Sequence, residues 1–140
     1  MKERKNNWTE VCKGDLSLNE MQKAEIYHEI SHARGDEVKS LKKLAQNQEC
    51  VGIFRSAAIY RLTDLAEGNS KTSIEVTKFL YKLSEEGEPD ENVRAWAYKF
   101  YRYLRVLNGN PMGKEELKKE RENAENDPSP RMRFLRGLSD

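Results

Sequence analysis

Pro89-Asp90-Glu91-Asn92-Val93-Arg94-Ala95-Trp96-Ala97 is the stretch on which the fold turns. Gly87 and Pro89 break the chain just before it. Val93, Ala97, Phe100, Tyr101 and Leu104 then recur on one helical stripe. A similar order stands 39 residues upstream, with Phe54 on Val93, Arg55 on Arg94, Ala58 on Ala97 and Leu65 on Leu104. The helix before it follows suit, Leu41 falling on Leu80 and Leu44 on Leu83 at the same shift of 39. A shift of 39 in the other direction places Pro128 on Pro89, Met132 on Val93 and Arg133 on Arg94. A shift of 33 adds an earlier helix, Ala24, Ile26, Tyr27, Ala33 and Gly35 falling on Ala57, Ile59, Tyr60, Ala66 and Gly68. A period near 39 in paired helices is the mark of an α-solenoid.

The elements around this stretch read as helices throughout. Three of the 4 prolines lie beyond residue 110, and no clean apolar alternation bounded by turn residues occurs, so no strand is expected. The first helix is predicted to start at Ser17, with Glu20 at the capping-box spacing, and to stop at Gly35 in a left-handed turn. It would place Ile26, Tyr27, Ile30 and Ala33 inward. Further helices are expected at about 36–48, 51–67, 73–85 and 91–107, the last ending at Asn108-Gly109. A charged helix near 113–126 and a short basic amphipathic one near 131–138 complete the chain. The acidic run from Glu85 to Glu91 reads as a solvated turn whose carboxylates favour the next helix N-terminus.

Pro89-Asp90-Glu-Asn-Val93-Arg94-Ala-Trp-Ala97 resembles the second-helix signature of HEAT repeats, in which Asp and then Val-Arg precede a small residue. Phe54-Arg55-Ser-Ala-Ala58 is similar but has Val51 in the place of the Asp. Met132-Arg133 keeps the Arg, while Arg136 replaces the small residue. The resemblance covers residues 18–107 well and 108–140 weakly. It implies an all-α, right-handed α-α superhelix of about three HEAT-like helix pairs plus a C-terminal helical tail. It also implies a concave binding face lined by second helices, and carries no catalytic residues across. Armadillo-like and tetratricopeptide-like helix pairs are close alternatives. The expected division is a repeat domain over 1–112 and a tail over 113–140, packed on the same domain.

Composition narrows the classes of function. The 140 residues carry 25 Lys plus Arg against 24 Asp plus Glu, so no overall charge excess points to nucleic acid or an anionic membrane. No apolar run approaches membrane-spanning length, and Met1–Trp8 leads into no apolar segment, so neither a span nor a signal peptide is expected. Two cysteines, Cys12 and Cys50, fit reduced thiols and a cytoplasmic protein better than a disulfide framework.

His28-Glu29-Ile30-Ser31-His32 spells the HExxH pattern of zinc hydrolases, in which two His one turn apart bind metal and the Glu activates water. At the spacing of the longer metzincin motif Gly35 fits, but the third ligand position is Val38, which cannot bind metal. Glu25, His28 and His32 fall within about 60° of arc, so a single metal completed by a neighbouring carboxylate is a second possibility. The 2 histidines are too few for a di-iron bundle. The plainer reading places both on the helix surface. The 33-residue shift sets them opposite Arg61 and Leu65, so the first helix is either rotated or a terminal cap with a polar outer face.

Between Val93 and Arg105 lie Arg94, Lys99, Arg102 and Arg105 with no acid, interleaved with Trp96, Tyr98, Phe100, Tyr101 and Tyr103. With Val93, Ala97, Phe100, Tyr101 and Leu104 assigned to the core, Trp96, Tyr98, Tyr103 and the cations fall on other faces. Aromatics and Arg are the residues enriched at binding hot spots, and they also stack on bases. Packing on a further helix pair, with the cations snorkelling, is the structural alternative. Arg55 and Arg94 are expected to bond a loop acid such as Asp90.

No phosphate-binding Gly loop, Cys-x-x-Cys pair or nucleophile elbow occurs. The reading is therefore a non-catalytic interaction module of the adaptor, inhibitor or immunity type, without cofactor. Its partner is expected to be a protein or peptide with acidic and apolar surface, bound through Tyr60, Arg61, Trp96, Tyr98, Lys99, Arg102 and Tyr103. One alternative is a zinc-dependent hydrolase or metal-binding helical protein using Glu25, His28, Glu29 and His32. Another is nucleic-acid binding along residues 93–105.

Overall fold

The computed structural model describes residues 18–50, 52–85 and 87–138, and every regular element among them is helical. In order these are α1 (Glu20–Ser31), a 3-10 turn (Gly35–Glu37), α2 (Val38–Gln46), α3 (Gly52–Glu67), α4 (Ser70–Leu83), α5 (Glu91–Leu107), α6 (Lys114–Glu125), α7 (Pro130–Arg133) and a wide helical turn (Phe134–Leu138). None of the helices is long and apolar enough to cross a membrane. The chain divides into two compact units, one running to Leu62 and the other starting at Thr63.

In the first unit the buried apolar residues are Ile30 and Ala33 at the end of α1, Leu41, Leu44 and Ala45 on α2, and Phe54, Ala57, Ala58, Ile59 and Leu62 on α3. The α1 N-terminus is closed by Asn19, whose side chain accepts from the Gln22 amide at 2.8 Å while Gln22 accepts from the Asn19 amide at 2.9 Å. This is a capping box, set on Asn19 rather than on the expected Ser17, which lies outside the described residues. The helix stops at Ser31, four residues short of Gly35. Gly35 opens the 3-10 turn instead, and its φ is not positive. Ile30 and Ala33 are buried as expected, but Tyr27 is exposed. Cys50 is buried and disulfide-bonded, which corrects the expectation of reduced thiols; the chain's other cysteine, Cys12, lies outside the described residues. A count of two cysteines carries no information on whether the fold brings them together.

In the second unit α4 packs along α5, α7 touches α5, and α6 lies against α7 and the final turn. Asn69 caps α4 through the Thr72 amide at 3.0 Å, and Asp90 caps α5 through the Asn92 and Val93 amides. α5 ends at Asn108-Gly109 as expected, with Gly109 in a left-handed turn at φ 70. Segment 113–138 belongs to this unit and contributes Ala124 and Met132 to its core.

Residues 39 apart make the same bonds. Arg55 Nε donates to the Ala45 carbonyl at 2.9 Å, and Arg94 Nε donates to the Ser84 carbonyl at 3.1 Å. Each guanidinium thus reaches back ten residues to the end of the preceding helix. Glu88 accepts from the Asp90 amide at 2.7 Å, and Asp127 accepts from the Ser129 amide at 3.0 Å. Asp90 then caps the Val93 amide as Ser129 caps the Met132 amide.

Candidate interaction surface

α5 is buried on two sides, and what remains outside is a narrow stripe. Val93, Ala97 and Leu104 are buried as expected, and Tyr101 is nearly so. Beside them Arg94, Ala95 and Tyr98 are buried as well. Tyr98 is fully buried, which removes it from the expected outer face. The reason is that α5 has two neighbours, α4 on one flank and the C-terminal segment on the other.

The C-terminal flank is a buried ionic network. Arg94 holds Asp127 with two bonds of 3.1 and 2.5 Å. Arg136 donates to Glu120 at 2.8 Å, to the Ser84 carbonyl at 2.8 Å and to the Ser84 hydroxyl at 3.1 Å. Its guanidinium carbon lies 4.9 Å from the Tyr98 ring centre. Tyr81 and Tyr98 donate their hydroxyls to the two oxygens of Glu120 at 2.6 and 3.3 Å. Two guanidiniums and two carboxylates, all buried, therefore balance each other. Burial alone would raise the Asp127 carboxyl, but the Arg94 bonds, the Ser129 amide and the nearby cations outweigh it and hold it below its ordinary range. Burial, with Glu120 adding to it, pushes the Tyr81 phenol up to about 12 and the Tyr98 phenol higher still. The acid expected to meet Arg94 was Asp90; the structure uses Asp127 and leaves Asp90 as the helix cap. Glu120 and Asp127 do not stand out in the sequence, and Arg136 is read there only as the replacement of a small residue. The signal available was the spacing Leu117, Glu120, Ala124, Asp127, a helical stripe disguised by two acids.

The outer stripe carries Trp96, 38 % exposed, Tyr103, 45 %, Val106, 67 %, and Leu107, 50 %. The positions 96, 99, 103, 106 and 107 follow one face of the helix, so Lys99 stands between the two rings. Lys99 and Arg102 are both exposed, and no acid occurs from Asn92 to Leu107. The Trp96 ring centre lies 6.0 Å from that of Phe100, and the Tyr103 hydroxyl donates to Glu67 at 2.9 Å. Arg102 donates to the Leu135 carbonyl at 3.3 Å, which brings the C-terminal segment to the edge of the stripe. In the first unit Tyr60 is exposed, while Arg61 is half-buried with its Nε donating to the Ala33 carbonyl at 2.7 Å.

The HExxH residues lie on the outside of α1. Glu25, His28 and His32 are exposed and Glu29 is half-buried. The His28 and His32 ring centres are 4.1 Å apart. His32 Nδ1 lies 2.8 Å from the His28 carbonyl oxygen; a carbonyl only accepts, so Nδ1 carries the proton. Among the described residues no three His, Cys, Asp or Glu side chains are grouped to hold a metal ion.

No protein-family model matches the chain, and neither a curated protein nor a solved structure is similar to it.

Proposed function

We propose that the chain is a non-catalytic, HEAT-like interaction module that binds an acidic, partly apolar protein segment on the outer stripe of α5. The observation that carries the reading is the stripe itself. Trp96, Tyr103, Val106 and Leu107 stay exposed on a helix whose other sides are buried, with Lys99 and Arg102 among them, no acid on the helix after Glu91, and Glu67 of α3 bound to the Tyr103 hydroxyl. Aromatic anchors flanked by cations are the composition of binding hot spots. The repeated Arg-to-carbonyl and acid-to-amide bonds, 39 residues apart, support descent from one helix-pair unit. A right-handed superhelix of such pairs is what the HEAT resemblance implies. A disulfide at Cys50 supports a compartment where disulfides persist over the cytoplasm.

Selection from a displayed peptide library tests the reading. The expected result is enrichment of sequences that place Asp or Glu beside apolar anchors. Their affinity should fall by about 30-fold or more in Trp96→Ala, the scale of a hot-spot truncation. Peptides held equally well by Trp96→Ala and by Arg102→Glu, both with unchanged circular dichroism, would sink the proposal. If labelled oligonucleotides were instead bound with steeply salt-dependent affinity, the same stripe would belong to a nucleic-acid-binding protein.

A further inference from the structure

On the flank of α4 away from the ionic network's centre lies a cleft of about 710 Å³, walled by α4, the last turns of α5 and the turn that follows it. Its floor is two tyrosine rings, Tyr81 and Tyr101, with centres 4.9 Å apart and planes inclined by 57°. The Tyr81 hydroxyl is bound to Glu120 outside the cleft, while the Tyr101 hydroxyl is bound to Arg105, which borders the cleft with its guanidinium carbon 5.8 Å from the Tyr101 ring centre. Ile74 forms a wall and is 61 % exposed. The walls are fixed by side-chain bonds: Asn108 donates to the Ser73 hydroxyl at 2.5 Å, and Thr77 donates to the Ser73 carbonyl at 2.6 Å. Arg105 is held by the Asn110 carbonyl at 2.9 Å and by both oxygens of Glu116.

The charge of the lining has one sign. Lys78 and Arg105 border the cleft and none of its lining residues is acidic. Glu116 neutralises Arg105 from outside the lining, while Lys78 has no ion pair among the described residues. A pre-formed, mostly apolar cleft of several hundred Å³ with a few placed polar groups is the form that small-molecule sites take. We propose that this cleft binds a small amphipathic organic anion, its flat apolar body on Tyr81, Tyr101 and Ile74 and its anionic group at Lys78. The site is separate from the α5 stripe and does not depend on the interaction proposed there.

The test uses the full chain and the aromatic sulfonate 8-anilino-1-naphthalenesulfonate, titrated by fluorescence and by calorimetry. The expected result is saturable binding of one molecule per chain. Ile74→Trp, which fills the cleft from an exposed position, should abolish it. Lys78→Glu should weaken it by about tenfold, the effect of reversing one close charge. Trp96→Ala should leave it unchanged. The uncharged analogue N-phenyl-1-naphthylamine should bind wild type and Lys78→Glu alike. Absence of saturable binding, or retention of binding by Ile74→Trp, overturns the proposal. So does loss in Trp96→Ala alone, which would place the probe on the α5 stripe. A chain that self-associates as wild type and is monomeric as Ile74→Trp by sedimentation would assign the cleft to a second copy instead, and would equally overturn it.

Discussion

α1 and α5 are opposite kinds of helix. α1 holds the most recognisable motif in the chain, and of its twelve residues only Ile30 is buried. α5 holds no enzyme motif, yet seven of its seventeen residues are buried, among them an arginine and two tyrosines. A motif is a spacing of side chains along one helix. A site needs groups brought in from other elements. Among the described residues, His28 and His32 meet each other and a backbone carbonyl of their own helix. Arg94 meets Ser84 and Asp127, which lie ten residues before it and 33 after it. The difference teaches that long-range partners, rather than local pattern, separate a working position from a coincidence.

The contrast is sharpest if the network is opened. Arg94→Ala takes from the buried Asp127 carboxylate its two direct bonds to a guanidinium, leaving Arg136 Nε at 3.7 Å, and is expected to cost about 3 kcal/mol in urea unfolding. Gly137→Ala comes next. Gly137 turns at φ 129 beside Arg136, and an added Cβ would meet Arg121 Cγ at 3.3 Å. A loss of about 1–3 kcal/mol is expected from the strained φ, read by thermal unfolding. The pH dependence tests the same region from both ends. Asp127 is held below its ordinary 3.8, so its contribution is present above that pH and is lost as the pH falls through the lower folded value. Asp127→Asn should therefore flatten the acid limb of the stability curve. Tyr81 titrates near 12 against an ordinary 10.0, so its contribution is present below pH 10 and disappears as the pH rises towards 12. Absorbance at 295 nm should show Tyr81 and Tyr98 still protonated where a free phenol ionises. The smallest effect is expected on α1. His28→Ala with His32→Ala should change stability by less than about 0.5 kcal/mol, as surface substitutions do. A change of several kcal/mol there would show that His28 and His32 have partners beyond their own helix, and would erase the contrast.

Much of α5 was legible. Its bounds, Glu91 to Leu107, its apolar stripe and its pairing with α4 follow from period and repeat. The placing of Tyr98 was not legible, and the reason is physical. A single stripe describes a helix with one neighbour, whereas α5 has a second one in the C-terminal segment. That segment reads as a charged surface helix because its inward positions, Glu120 and Asp127, are acids. Burying them is reasonable only with Arg94 and Arg136 opposite, and pairing across 33 or 16 residues leaves no local trace. The outer stripe was half legible: Trp96, Lys99, Arg102 and Tyr103 are exposed as expected, while Val106 and Leu107, exposed too, have no distinguishing pattern in the sequence.

The arginines that reach back ten residues bear on how such a chain tolerates change. Arg55 and Arg94 each tie the start of one helix to the final carbonyls of the helix before it. The joint is made by a side chain that spans the turn, in addition to the turn's own bonds at Cys50 and at Glu88. Residues added away from Cys50 and Glu88 can then be taken up as a bulge without moving either helix. A loop so bridged is a place where new length and new surface can accumulate while the helix pair keeps its register.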